Sequence, residues 1–179
     1  MSKIKILLAT GLSLLFISCN NKPTLQNYFV KNQDQPNFIA LDIAPNILKL
    51  DHAKLTNDEA NVLKSFEKIN VLAFKVNQKN KDKYNLEKNK LVEILQDTAS
   101  YHQLIKIGSG AMGANISFVG DENHINEFVF FGNKKENGFV VARILGNNMK
   151  PENAMKLFSI LQKGAIDEKQ LGVLKDLFK

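Results

Sequence analysis

Gly108-Ser109-Gly110-Ala111-Met112-Gly113 spells G-x-G-x-x-G, a spacing that can bring backbone amides against a pyrophosphate. That chemistry requires a helix to follow. Here Asn115-Ile116-Ser117-Phe118-Val119 alternates like a strand, and Phe131, Gly132 and Asn133 stand where an acidic ribose ligand would be needed. The segment therefore reads as a glycine-rich hairpin loop whose open backbone offers Gly108, Gly110 and Gly113 as ligand contacts. Arg143 interrupts an apolar strand and shares a face with Phe139, Val141 and Leu145. Three readings stand for it: a snorkelling surface arginine, a buried ion pair, or a clamp for a ligand carboxylate. His52, His102 and His124 fall in different elements with no H-E-x-x-H or H-x-H spacing. Asp121-Glu122-Asn123-His124 is rich in oxygens that suit a hard cation, but it is also an ordinary hairpin turn. No G-x-S-x-G elbow occurs and no two carboxylates are paired by spacing. These residues predict no catalytic group, metal or cofactor.

Cys19 is the only cysteine, so no intramolecular disulfide can form. It ends a leader in which Lys3 and Lys5 precede an apolar run from Ile6 to Ile17, too short for a comfortable membrane span. Leu15-Phe16-Ile17-Ser18-Cys19 resembles a bacterial lipobox. The resemblance implies cleavage after Ser18, diacylglycerol on the Cys19 thiol and acylation of the new amine. Two or more acyl chains anchor stably where one gives only marginal binding. Asn20 replaces the aspartate of an inner-membrane retention signal, and Asn20-Asn21-Lys22 lacks an acidic surface-export cluster. The expected address is therefore the outer membrane, facing the periplasm. Asp97-Thr98-Ala99 resembles the O-glycosylation sequon of bacteroidete envelope proteins, which makes Thr98 a modification candidate.

The chain of 179 residues is 44% hydrophobic and 23% charged, a globular composition with room for one domain. Its formal charge is +6, yet every basic residue except Arg143 is a lysine. Base reading and bidentate phosphate clamping favour the guanidinium fork, so no nucleic-acid partner is expected. Lys79, Lys81, Lys83, Lys88 and Lys90 are interleaved with Asn, Asp82 and Glu87 and read as a solvated helix face.

The elements that must position these groups are legible from patterning. After the leader (residues 1–18) and a tether (19–24), Thr24 caps a helix bearing Leu25, Tyr28 and Phe29. Phe38 to Ile43 reads as a strand, and Ile47 to Leu50 as a turn of helix. Thr56 and Glu59 form a capping box ahead of a stripe of Leu63, Phe66 and Ile69. A strand over Val71–Val76 and a helix over about Asp82–Thr98 follow. Four strand-like runs (Leu104–Ile107, Ile116–Val119, Phe128–Phe131 and Phe139–Leu145) are joined by short turns and so must be antiparallel. Pro151 opens a helix ended by Gly164, and Asp167 caps a last one within residues 165–179. The predicted fold is α+β: a mixed, mainly antiparallel sheet of about six strands, with helices packed on one face, in a single domain over residues 25–164. Phe128–Phe131 and Phe139–Leu145 are apolar at both parities, so both faces there must be covered or sticky.

Tyr28-Phe29-Val30, Phe38 to Ile43, Ser65 to Phe74, Gly108-Ser109-Gly110, Phe130-Phe131-Gly132 and Gly138 to Gly146, in this order, resemble the bacteroidete lipoproteins grouped as the domain of unknown function DUF 4252. The resemblance covers roughly Leu25 to Gly164 and implies no activity, substrate or catalytic residue. The expectation is a lipid-anchored, non-enzymatic periplasmic module that binds a protein or an envelope component. The alternative is a small-ligand-binding protein or hydrolase with a pocket near the glycine loop, Arg143 and the Asp121–His124 turn.

Overall fold

Thr24 accepts the Asn27 amide and starts helix α1 (Leu25–Asn32), as its position ahead of an apolar stripe requires. The computed structural model describes residues 22–44 and 52–162. Strand β1 (Phe38–Ile43) follows, then a single 3-10 turn (His52–Lys54) and α2 (Asn57–Lys64). Thr56 and Glu59 close the capping box in both directions, at 3.2 and 2.8 Å. Next come β2 (Phe66–Lys75), α3 (Lys81–Leu95), β3 (His102–Ser109), β4 (Met112–Asp121), β5 (His124–Lys134), β6 (Gly138–Met149) and α4 (Pro151–Gln162). The leader with Ser18 and Cys19, the Ile47–Leu50 turn, Gly164 and the last predicted helix lie outside the described residues.

The strands form one sheet in the order β1-β2-β6-β5-β4-β3. The α+β class and the six strands are as the patterning predicts, and every pairing is antiparallel. The helices, however, do not share one face. Leu25, Tyr28 and Phe29 of α1 and Tyr84, Leu91 and Ile94 of α3 pack with Leu72, Phe74, Val129, Phe131, Phe139 and Val141. Val62 and Leu63 of α2 and Ala154 and Leu157 of α4 pack with Phe118, Phe128 and Ile144. Neighbouring strand residues point to opposite faces, so Phe128 and Val129, or Val141 and Ile144, supply two separate cores. Strands apolar at both parities need two covering layers, and two helix pairs provide them. As a result Phe128, Phe131 and Phe139 are buried and form no sticky aromatic face.

A second correction concerns Phe66 and Ile69, which belong to β2 and not to the helix before it. Their spacing of three looks helical. A register shift between Phe66 and Lys68 lets both residues face the α2–α4 core from a strand. The link from β2 to β3 is the feature that builds the site. It must cross four inter-strand spacings, roughly 19 Å at about 4.8 Å each. The 15 residues of α3 supply about 22 Å of helix for this. α3 therefore lies over the α1 side of the sheet and delivers the chain to the far edge.

Candidate functional site

Where α3 runs out over the edge strands it leaves a cleft of about 380 Å³. One wall is the last half of α3 with its C-cap, presenting Lys88, Val92 and Gln96. The opposite wall is the β3–β4 hairpin, with Gln103, Lys106 and the glycine segment from Gly108 to Gly113, Ala111 and Met112 excepted. Asn115, Phe131 and Asn133 form the floor, and Thr98 and Tyr101 close the end. The floor residues come from one sheet face, because Gly113 pairs with Asn133 and Asn115 with Phe131 across β4 and β5.

The glycines shape this cleft in different ways. Ser109 pairs with Met112, so the hairpin turns on Gly110 and Ala111 alone. Gly110 has φ +65°, which suits the first central position of a two-residue turn with glycine there. Gly108 has φ +66°, and a Cβ on it would stand 2.6 Å from the Met112 carbonyl oxygen. A Cβ on Gly113 would stand 3.5 Å from Asn133 Oδ1, so its absence keeps the floor open. No helix begins at the segment, which is a strand–turn–strand corner.

Two fixed groups complete the cleft. Asn133 is buried, and its Nδ2 donates to the Tyr84 hydroxyl (3.3 Å) and the Gly110 carbonyl (3.1 Å). That tie fastens the hairpin tip to α3. The Asp97–Ser100 turn is held by Asp97, whose carboxylate accepts from Ala99 N and Ser100 Oγ. It leaves Thr98 exposed at the rim and aims Tyr101 inward, its hydroxyl accepting the Leu25 amide at 3.4 Å. Burial raises the Tyr101 phenol above its ordinary value and so keeps it protonated. Among the described residues, no Asp, Glu, His or Cys lines the cleft.

Arg143 is not part of it. Its Nε and Nη2 donate to the two carboxylate oxygens of Glu127, each at 2.8 Å, and its Nη1 donates to Gln26 of α1. Both partners are largely buried, with side chains 9% and 12% exposed, and the guanidinium lies 5.6 Å from the Phe29 ring centroid. Burial works against the guanidinium charge, but the Glu127 pair outweighs it and raises the arginine pKa. Of the three sequence readings, this geometry is that of the buried ion pair, with each of the three guanidinium nitrogens donating one hydrogen bond.

Residues 28–157 match the family described as Domain of unknown function (DUF4252). The chain belongs to this family. The match runs from α1 into α4 and so takes in the whole sheet, the cleft and the Arg143 pair. No curated protein and no solved structure matches the chain. A DUF4252 domain carries no assigned activity, and function has to be read from the cleft itself.

The remaining sequence candidates sit elsewhere in the domain. Asp121 accepts from Asn123 N, His124 N and His124 Nδ1 and closes the β4–β5 turn. These bonds, the Asn123 amide foremost, lower its carboxyl pKa, and no cluster of metal-ligating side chains occurs among the described residues. The structure thus gathers Gly108, Gly110, Gly113 and Thr98 around one cleft and leaves Arg143 and the Asp121–His124 turn out of it. Sequence reading missed Asn115, Asn133, Gln96, Gln103, Tyr101, Lys88 and Lys106. A signal existed for Asn133, a polar residue at the same strand parity as Val129 and Phe131. None existed for Lys88, which belongs to a lysine run with the pattern of a solvated helix face.

Proposed function

We propose that the protein is a lipid-anchored envelope protein, held by acyl chains on Cys19 at the periplasmic face of the outer membrane. Its domain acts as a non-enzymatic binding module that takes an envelope component, or part of a protein, in the cleft between α3 and the β3–β4 hairpin. The anchor is carried by the leader and its terminal Ser18-Cys19 step. No helix among the described residues is long and apolar enough to cross a membrane.

Binding is carried by one observation: among the described residues the cleft presents amides, hydroxyls and two lysines, but no acid–base pair. Concave sites with a few convergent polar groups are the usual ligand sites of proteins. General acid–base chemistry needs a group that titrates near working pH, and a phenol held protonated does not supply it. This favours binding over the hydrolase alternative.

Two measurements test the reading. Cys19→Ser should release folded protein from membranes; continued sedimentation after high-salt washing would overturn the anchor. A photo-crosslinking residue at Gln103, in the cleft, should form a discrete adduct in intact cells, and one at exposed Lys150 should not. Equal labelling from both positions, or none from Gln103, would remove the cleft from the function.

A further inference from the structure

We infer that the cleft selects a small carboxylate whose neighbouring atoms carry hydroxyl or amide groups, an inference that rests on the cleft being the binding surface. Lys88 and Lys106 stand on opposite walls, one from α3 and one from β3. Neither forms an ion pair with a described residue, whereas Lys68, Lys90 and Lys156 do; Lys88 Nζ lies 5.6 Å from the Tyr84 ring centroid. With no acidic side chain among the described residues of the lining, their charges add across a concave space and favour an anion.

The charge of that anion is limited by the helix beside it. The lining includes Val92 and Leu95 of the last turn of α3 and its C-cap Gln96, where the backbone dipole presents its negative end. The one arginine, the side chain best suited to a phosphate, is engaged elsewhere by Glu127. A single negative charge fits these walls better than a double one.

The floor adds hydrogen-bond demands that a bare anion does not meet. Asn133 spends its Nδ2 on Tyr84 and Gly110, which turns its Oδ1 into an acceptor beside the open space at Gly113. Asn115 accepts from Ser117 through Oδ1, leaving its Nδ2 as a donor. Gln96 and Gln103 can offer either role from the two walls. A ligand that carries O–H or N–H groups next to its carboxylate satisfies both kinds of group, as an acidic sugar or an N-acylated amino acid does.

The test uses the full lipidated chain in detergent and follows the backbone amides of Gly108, Gly110 and Gly113 by NMR. D-glucuronate and N-acetylglycine are titrated against their neutral counterparts, methyl glucoside and N-acetylglycinamide, and against inorganic phosphate. At least one carboxylate should shift these amides, with its neutral counterpart about tenfold weaker. Lys88→Ala and Lys106→Ala should each weaken the carboxylate roughly fivefold and leave the neutral compound unchanged. Response to glucuronate alone identifies the sugar source, and response to N-acetylglycine alone the amino-acid source. Equal binding of charged and neutral compounds, tighter binding of phosphate, unchanged affinity in both lysine variants, or no shift with any probe would overturn the ligand class. Loss of the Gln103 adduct in cells is a separate failure, of the binding reading itself.

Discussion

Arg143 and Lys106 are cations on the same face of one sheet, three strand positions apart, and their surroundings differ. Arg143 lies on the inner strand β6 under α1, where Glu127 and Gln26 take its donors. Lys106 lies on the edge strand β3 and lines a cleft with no carboxylate among its described residues. At the centre of a sheet a charge must be paired or it costs several kcal/mol, roughly 3–5 when one partner is removed. At an edge, water solvates an unpaired lysine at little cost, which leaves the charge available to a ligand. The sheet's geometry therefore makes Arg143 a structural cation and leaves Lys106 exposed.

Breaking the closed region should produce the largest effect. Glu127→Ala leaves the Arg143 guanidinium buried without its partner and should destabilise the domain by about 3–5 kcal/mol in urea denaturation. Arg143→Met with Glu127→Leu should recover most of that loss, because apolar replacement removes both desolvation costs. A single variant costing under about 1 kcal/mol would place the pair among exposed ion pairs instead.

The hairpin of the open region comes next. Gly108→Val combines a left-handed φ with a clash against the Met112 carbonyl and should cost roughly 1–3 kcal/mol. Gly110→Ala meets no atom within 4 Å and should cost only the conformational strain, about 1 kcal/mol. A lower melting temperature for Gly110→Ala than for Gly108→Val would contradict the close approach at Gly108.

A pH profile sharpens the contrast from the buried side. Burial first, and the Glu87 carboxylate second, raise the Tyr28 phenol well above its ordinary value of 10.0. A phenol with a raised folded-state pKa contributes stability that is complete below the unfolded value and is lost as pH climbs past it. The urea midpoint should therefore fall as pH rises above about 10, and Tyr28→Phe should flatten that fall. An unchanged alkaline slope in the variant would show that Tyr28 is not its source.

The smallest effect should come from the cleft lysines. Lys106→Ala should stay within about 0.5 kcal/mol of the parent stability, since it forms no ion pair to a described residue, and Lys88→Ala, which also loses its contact with the Tyr84 ring, within about 1 kcal/mol. A loss above about 1 kcal/mol for either would make that lysine structural, like Arg143.

Local rules were legible at α1, at the Thr56–Glu59 box and in all four strands from β3 to β6, because caps, turns and alternation act over a few residues. They failed at Phe66 and Ile69, where a strand irregularity copies helical spacing, and at the number of helix layers. The glycine segment was readable as a hairpin, since a strand pattern follows it. Its role as a cleft wall was not, because the opposite wall comes from α3, a distant stretch of chain.

From residue types alone came the anchor expectation, the α+β class, the capped helix starts and the hairpin at Gly110. Each depends on neighbours in the chain, whose interactions are set by φ preferences and side-chain period. Tertiary structure decided that Arg143 is closed by Glu127 and Gln26, and that Lys88, Lys106 and Asn133 meet around one space. Those outcomes depend on which strand sits at the edge and where the crossover helix stops. Only the long-range packing of two cores on one sheet settles that.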